Sequence, residues 1–430
     1  MQNKSLFQEH IRHKEKQAWE LLEELSLDSI VIDAGIEGYY YDDDQTVPYR
    51  TSPEFRSWCP EPAAGSVIQV EPGKKAKLIS IQFDDFWHAP PVSGEWVEAF
   101  DSCVVNSRDQ ALALLPKAGK NLWIGPGLEF KEAEHWEWNS SSAIAALNWN
   151  RAQKTSYEQE CLRAANKLGA AGHDAARSCF LNGGSEWQIY MEYLKAIEAT
   201  EAELPYSAII GLDQNAGVLH YQHKSRQLKE SKVLLVDAGA NVQCYGSDIT
   251  RTWVRPGVHS VFKELLDGLD RLQLGLIDDI KVNTNFADLH LRSVDGIGEL
   301  LLQQDVIRGV EVGTPDFRNV VRAFFPHGLG HMLGVLVHDV GGRQKNRKGD
   351  ACEPHKEDPK LRTNRALRED EVVTIEPGIY WIPMLLKTVD SQFLNSSLID
   401  ELIPLGGMRI EDNVVVRSQK ADNLTRPYLA

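Results

Sequence analysis

His327, His331 and His338 fall within twelve residues, in the run Phe325-Pro326-His327-Gly328-Leu329-Gly330-His331-Met332-Leu333-Gly334-Val335-Leu336-Val337-His338-Asp339. Imidazole binds metal ions and moves protons near neutral pH. The apolar residues between the histidines predict burial, and a buried imidazole must find a partner. His327 and His331 are four apart and would share a helix face. Pro326, Gly328, Gly330 and Gly334 argue against a helix. The expectation is a tight backbone that brings imidazoles to one point.

Carboxylates recur at the ends of apolar runs elsewhere. Val233-Leu234-Leu235-Val236 ends in Asp237, and eleven residues on Asp248 precedes Ile249-Thr250-Arg251-Thr252-Trp253. Gly239 and Gly246 lie in the connection, which predicts a hairpin with an acid on each arm. Val372-Val373-Thr374-Ile375 ends in Glu376, and Glu411 lies within Arg409-Ile410-Glu411-Asp412-Asn413-Val414-Val415-Val416. Each acid alone has a plain explanation as a solvent-facing strand end. Arg409 and Glu411, two apart on a strand, would also share a face and could pair. Four such acids together with the histidines point instead to a metal centre. Carboxylate and imidazole donors without thiolate suit a hard or borderline divalent ion, Mn²⁺ first, with Co²⁺, Zn²⁺ or Fe²⁺ as alternatives. So many anionic donors exceed the needs of one ion and would serve two, a few ångströms apart.

The elements that must hold these residues follow the chain. Leu6, Phe7, Ile11, Ala18, Leu21, Leu22 and Leu25 predict an amphipathic helix over 5–26. Strands are expected at 29–32, 66–70, 78–83, 103–105 and 122–125, with helices near 108–115 and 141–149. This is an α/β unit of about 150 residues. Thr155-Ser156-Tyr157-Glu158 and Ser185-Glu186-Trp187-Gln188 are capping boxes, opening helices to about 180 and 200. The boundary falls at 150–155, giving domains 1–152 and 153–430. In the second domain strands are expected near 207–211, 216–221, 232–237 and 248–254. Helices near 258–280 and 285–304 follow, then strands from about 335 to 416. The charged segment 343–365 is a solvated loop.

The chain has 430 residues, with 42% hydrophobic and 25% charged residues, as in an ordinary globular protein too long for one core. A formal net charge of −16 disfavours nucleic acid and anionic membranes as partners. Six scattered cysteines without a CxxC pair suggest free thiols in a reducing compartment. The charged N-terminus is unlike a signal peptide, and no apolar run approaches the ~20 residues that span a bilayer. A cytoplasmic protein is expected.

The set Asp237, Asp248, His331 in His-Gly-Leu-Gly-His, Glu376 in Thr-Ile-Glu-Pro-Gly and Glu411 in Arg-Ile-Glu-Asp-Asn resembles the five ligands of the pita-bread metallopeptidases. The order matches and all five positions are filled. The presence of an N-terminal α/β domain, with Tyr41-Asp42-Asp43-Asp44 and Asp84-Asp85-Phe86-Trp87-His88, resembles the bacterial prolidases (Xaa-Pro dipeptidases) that include organophosphorus acid anhydrolase. The resemblance implies an α/β N-terminal domain and an α+β pita-bread catalytic domain. It implies hydrolysis of Xaa-Pro dipeptides by a metal-bridging hydroxide, with phosphotriester hydrolysis as a side activity. Asp248 and Glu411 would bridge two ions, Asp237 would bind one, and His331 and Glu376 the other. Glu376 would shuttle the proton, and His327 and His220 would hold substrate and oxyanion. His338, Arg365, Arg409 and Tyr206 would contact substrate, Arg365 by clamping the free carboxylate of a dipeptide. In a homodimer, Asp44 and Trp87 would close the partner subunit's site and restrict it to dipeptides. Cleavage of longer Xaa-Pro peptides in the manner of aminopeptidase P, or a non-catalytic binding protein on the same fold, are the alternatives. His88, His223 and His290 are taken as structural.

Overall fold

A computed structural model describes residues 4–61, 64–87, 94–126 and 135–429. The chain forms two compact units. One comprises Met1–Arg151 with Thr155–Glu158 and Asn346–Asp350. The other comprises Ala152–Lys154, Gln159–Lys345 and Ala351–Ala430. His88 lies outside the described residues.

The N-terminal unit opens with a helix at Lys4–Leu25, whose Phe7, Ile11, Ala18, Leu21 and Leu22 are buried, as their spacing predicts. Its sheet contains β1 (Ser29–Asp33), β2 (Val67–Val70), β3 (Lys77–Ile81), β4 (Asp101–Val105), β5 (Asn121–Ile124) and β6 (Trp136–Trp138), in the order β4-β3-β2-β1-β5-β6. β1 pairs antiparallel with β2 and parallel with β5, so the sheet is mixed. Every residue of β1, β2 and β5 is buried, which is why they read as unbroken apolar runs. β6 is only three residues long and escapes a pattern search.

In the second unit, helix Glu186–Ala196 carries the expected capping box: Ser185 Oγ accepts from Gln188 N and Gln188 Oε1 accepts from Ser185 N. It ends before the predicted Thr200. Three strands, β7 (Ile209–Leu212), β8 (Val233–Asp237) and, after the short hairpin of β9 (Asn241–Val242) and β10 (Tyr245–Gly246), β11 (Thr250–Val254), form a sheet ordered β11-β8-β7. The strand expected at 216–221 is absent. A 3₁₀ turn at Asp213–Gly217 and a turn at Val218–Tyr221 stand there instead. The later strands are β12 (Val372–Ile375), β13 (Gly378–Tyr380), β14 (Gly407–Arg409), β15 (Asp412–Val415) and β16 (Asp422–Asn423), in sheets ordered β12-β15-β16 and β13-β14. Strands were expected from 335 on, but none of these begins before Val372, and helix Ser396–Leu402 interrupts the run. Helices Ser260–Asp278, Phe286–Gln303 and Pro315–Arg322 back the sheet. Their Phe262, Leu265, Leu269, Val294, Ile297, Leu301, Phe317 and Val321 share one core with Val233 and Leu235 of β8. The helices thus cover one face of the unit and the acids collect at the strand ends.

Candidate metal centre

The hairpin predicted around Asp237 and Asp248 is present. Asp237 pairs in register with Thr250 across β8 and β11, and Thr250 in turn bridges to Glu411. Asn413, two residues past Glu411, accepts from Asp248 N through its Oδ1 at 3.0 Å. The hairpin and the Glu411 segment are therefore fastened to each other where the acids emerge.

The histidine run is not a helix. Residues 329–333 lie antiparallel beside β12. Thr374 N donates to His331 O at 2.9 Å, Leu333 N to Val372 O at 2.9 Å and Glu376 N to Leu329 O at 2.8 Å. A Cβ on Gly330 would stand 2.0 Å from the Thr374 carbonyl oxygen, so only glycine permits this approach. The alignment delivers His331 to the acids. Its Nδ1 donates to Met332 O at 3.0 Å, which leaves Nε2 to face Asp248 Oδ2 at 3.3 Å and Glu376 Oε1 at 3.5 Å. Fixing the far nitrogen on a carbonyl is how proteins orient an imidazole ligand.

Ligand atoms of Asp248, His331 and Glu411 all lie within 4.8 Å of one another. Asp237, Asp248 and Glu411 are buried and the Glu376 carboxyl is nearly so. Burial pushes the Glu376 carboxyl up to about 7, with Asp248 and Asp237 adding to the rise against the pull of His331 and Arg409. Burial and three neighbouring acids hold Glu411 far above the carboxylate range. Burial raises Asp237 too, and Arg409 only partly offsets it. Burial would also raise Asp248, but hydrogen bonding and charge from His331 take it below its usual value. Four carboxylates against one imidazole and one guanidinium are short of positive charge. The donors are oxygen and nitrogen without sulfur, so divalent cations fit this cluster.

Other polar groups steady the acids. Tyr206 OH donates to Asp237 Oδ1 at 2.8 Å, and Thr250 Oγ1 to Glu411 Oε2 at 2.7 Å. Arg409 pairs with Asp237 through Nη2, donates to Tyr380 OH at 2.6 Å and to Thr250 Oγ1 at 3.0 Å, and stays 4.0 Å from Glu411. The Arg409–Glu411 pair considered from spacing is thus the weakest of its contacts. His327 Nδ1 donates to Gly328 O at 2.9 Å, and its Nε2 lies 3.1 Å from Tyr380 OH. Burial and the Arg409 charge take its pKa down to about 3, so this ring is neutral. The His338 ring meets His331 edge-on at 4.5 Å, and burial and the His331 charge lower it to about 4.

The acids and most of the groups around them line one cavity of about 980 Å³. It brings together Asp237, Asp248, His331, Glu376, Glu411, His327, His220, His338, Tyr206 and Arg409. Arg365 is not in its wall. That guanidinium is buried and takes both oxygens of Glu371, at 2.9 and 2.6 Å, plus the Gly341 carbonyl. Glu371 is fully buried and needs the charge, so Arg365 is spent inside the fold. Arg362, three residues earlier in the same Leu-Arg-Thr-Asn-Arg run, lines the cavity. Tyr380 also went unnoticed in the sequence. Its only signal was its place four residues past Glu376. Asp44 and Trp87 are exposed on the N-terminal unit. His290 is buried against Asp358 at 3.3 Å, and His223 is exposed.

A hairpin, a glycine-fitted histidine segment and a carboxylate cluster lining a cavity make a site suited to divalent metal ions. Residues 160–418 match metallopeptidase family M24, and residues 5–149 match the Xaa-Pro dipeptidase N-terminal domain. The chain belongs to metallopeptidase family M24. It is 40% identical over 428 residues to a protein of Marinobacter nauticus named Xaa-Pro dipeptidase, covering 97% of this chain and 96% of that one. A Shewanella piezotolerans protein of the same name is 35% identical, with 98% of both chains covered. Among solved structures, zinc-substituted Escherichia coli aminopeptidase P in complex with product superposes with a TM-score of 0.74 at 20% identity, over 97% of this chain and 96% of that one. Aminopeptidase PepP of Pseudomonas aeruginosa gives 0.74 at 20%, over 96% and 94%. The fold is therefore an N-terminal α/β domain followed by a pita-bread catalytic domain. No helix among the described residues is long and apolar enough to cross a membrane.

Proposed function

We infer that the protein is a divalent-metal-dependent dipeptidase that hydrolyses Xaa-Pro dipeptides. The observation that carries this reading is the complete set of four carboxylates and one imidazole beneath a cavity walled by His338 and Arg362. Full-length likeness to proteins named Xaa-Pro dipeptidase supports it.

Asp237, Asp248, His331, Glu376 and Glu411 would hold two divalent ions, Mn²⁺ first. Such ions lower the pKa of water and polarise a peptide carbonyl. Glu376 takes the proton of the attacking water and returns it to the prolyl nitrogen as the peptide bond breaks. Arg409 and Tyr206 fix Asp237 by pairing with both of its oxygens. His220 contacts the substrate carbonyl as negative charge develops on its oxygen, whereas His327, neutral with its proton on Nδ1 toward Gly328 O, presents Nε2 as an acceptor to Tyr380 OH or a substrate N–H. Arg362 clamps the proline carboxylate in place of Arg365, and His338 packs on the proline ring.

The domain roles belong to the same proposal. Residues 1–152 restrict substrate and make dimer contacts, and residues 153–430 catalyse. Tyr41, Phe86 and Trp87 are exposed, with the Phe86 and Trp87 rings 4.5 Å apart, and such exposed aromatics beside Asp44 and Asp85 suit a homodimer in which Asp44 and Trp87 close the partner's site. A cytoplasmic location and a phosphotriesterase side activity go with this reading.

The test strips the protein with chelator, restores Mn²⁺ and offers an Xaa-Pro dipeptide, an Xaa-Pro tripeptide and a phosphotriester. Metal-restored release of proline from the dipeptide is expected. Its absence would sink the reading, and faster cleavage of the tripeptide would move it to an aminopeptidase.

A further inference from the structure

Glu186 is the first residue of helix Glu186–Ala196, and it is buried with 1% of its surface exposed. A buried carboxylate is costly unless hydrogen bonds replace its water. Here both oxygens are saturated. Oε1 accepts from Leu212 N at 2.9 Å and Asn215 Nδ2 at 2.7 Å. Oε2 accepts from Tyr221 OH at 2.7 Å and Ser225 N at 2.7 Å. Trp187 N adds a bond to Ser225 O at 3.0 Å, and Asn215 Nδ2 also reaches Tyr221 OH at 3.0 Å. Only an acceptor with four lone-pair sites can do this, and only a carboxylate offers them with no competing donor.

The four donors flank His220. Leu212 and Asn215 precede it, and Tyr221 and Ser225 follow it. His220 sits in the turn closed by Tyr221 N to Val218 O at 3.1 Å. Its side chain is exposed to the cavity and makes no hydrogen bond to the described residues. The backbone of the loop alone decides where this imidazole stands.

We propose that Glu186 is a positioning residue for His220: its buried carboxylate clamps the 212–225 loop from both sides and so sets the imidazole in the substrate cavity. The inference rests on the reading of His220 as a substrate contact. Glu186→Gln keeps the shape but turns an amide N–H₂ toward Tyr221 and Ser225, whose N–H cannot accept.

The experiment compares wild type, Glu186→Gln, His220→Ala and the double variant, each loaded with Mn²⁺. Bound metal should equal wild type in all four. kcat/KM for an Xaa-Pro dipeptide should fall about tenfold in Glu186→Gln, and the double variant should be no worse than His220→Ala. Amide hydrogen exchange in peptide 212–225 should quicken in Glu186→Gln, a readout independent of activity. Tyr221→Phe keeps the carboxylate, removes one donor, and should lose about threefold. It stands in should Glu186→Gln fail to fold. Unchanged exchange would overturn the clamp. Faster exchange with unchanged kcat/KM, or losses that multiply in the double variant, would overturn positioning through His220. A wild type that releases no proline would sink the dipeptidase reading, and the exchange comparison would then decide on the clamp by itself.

Discussion

Glu376→Gln should stabilise the metal-free protein at alkaline pH while abolishing activity. In the folded chain burial, aided by Asp248 and Asp237, pushes the Glu376 carboxyl up to about 7 from its usual 4.5. Below pH 4.5 the group is protonated in both folded and unfolded chains and contributes no difference. Between 4.5 and 7 the unfolded chain releases the proton and the folded chain keeps it. Stability is therefore lost as pH rises through this window, and the loss is complete above 7. At ~1.4 kcal/mol per pH unit the loss is about 3 kcal/mol. Glutamine has the same shape and no charge to bury, so it escapes this loss. The assay is denaturant unfolding of chelator-stripped wild type and Glu376→Gln at pH 4.5 and pH 8. The two should be close at pH 4.5, and the variant should be more stable by about 3 kcal/mol at pH 8. Adding Mn²⁺ should reverse the order, because an ion that binds only the folded state stabilises by mass action. Parallel stability in the two proteins across this range would refute the reasoning, as would a wild type more stable than the variant at pH 8 without metal.

His331→Ala should lose metal, whereas His327→Ala should keep metal and lose rate. Elemental analysis beside kinetics checks this, and equal depletion in both would void the division of roles. Arg362→Ala should raise KM for Xaa-Pro dipeptides roughly tenfold to a hundredfold, the loss of one charge-assisted contact of about 1.5–3 kcal/mol, with stability unchanged. Arg365→Ala should instead lower unfolding stability by about 3 kcal/mol, at the low end for a broken buried pair because Arg368 still reaches Glu371 at 2.7 Å. The Lys154–Asp339 pair at 3.0 Å is buried at both ends. Lys154→Met should cost about 3–5 kcal/mol of stability and raise KM, since Asp339 adjoins His338 in the cavity wall. Denaturant melts and steady-state kinetics read both effects.

Much of this molecule is legible in its local sequence. Asp237 and Glu376 end apolar runs, Asp248 precedes one and Glu411 lies within one, and strands buried on every residue, such as β8 and β12, leave that pattern because the fold has no solvent face there. The glycines of the histidine run excluded a helix, and Gly330 against Thr374 O shows why. The capping box at Ser185 marked a helix start, since those groups bond within four residues of chain. What these features share is locality: periodicity, caps and tight turns are set by neighbours in sequence.

The remainder depended on partners far apart in the chain. Arg362 and Arg365 are three residues apart and chemically identical. The buried Glu371 claims one of them and leaves the other to the cavity, a choice made by packing. Tyr380 matters because Arg409 and His327, from other segments, meet at its hydroxyl. Glu186 matters because a loop some 30 residues away folds back onto it. The expected strand at 216–221 is a turn whose backbone bonds are local, Val218 N to Asn215 O and Tyr221 N to Val218 O, with Glu186 holding Leu212 N and Ser225 N on either side of it. The sequence by itself determined which acids and histidines stand near strands and the local elements that carry them, because residue type and local spacing dictate both. Only the tertiary structure decided which charged groups are consumed in holding the fold and which remain for substrate, because a buried charge must be satisfied by whatever group the fold brings beside it.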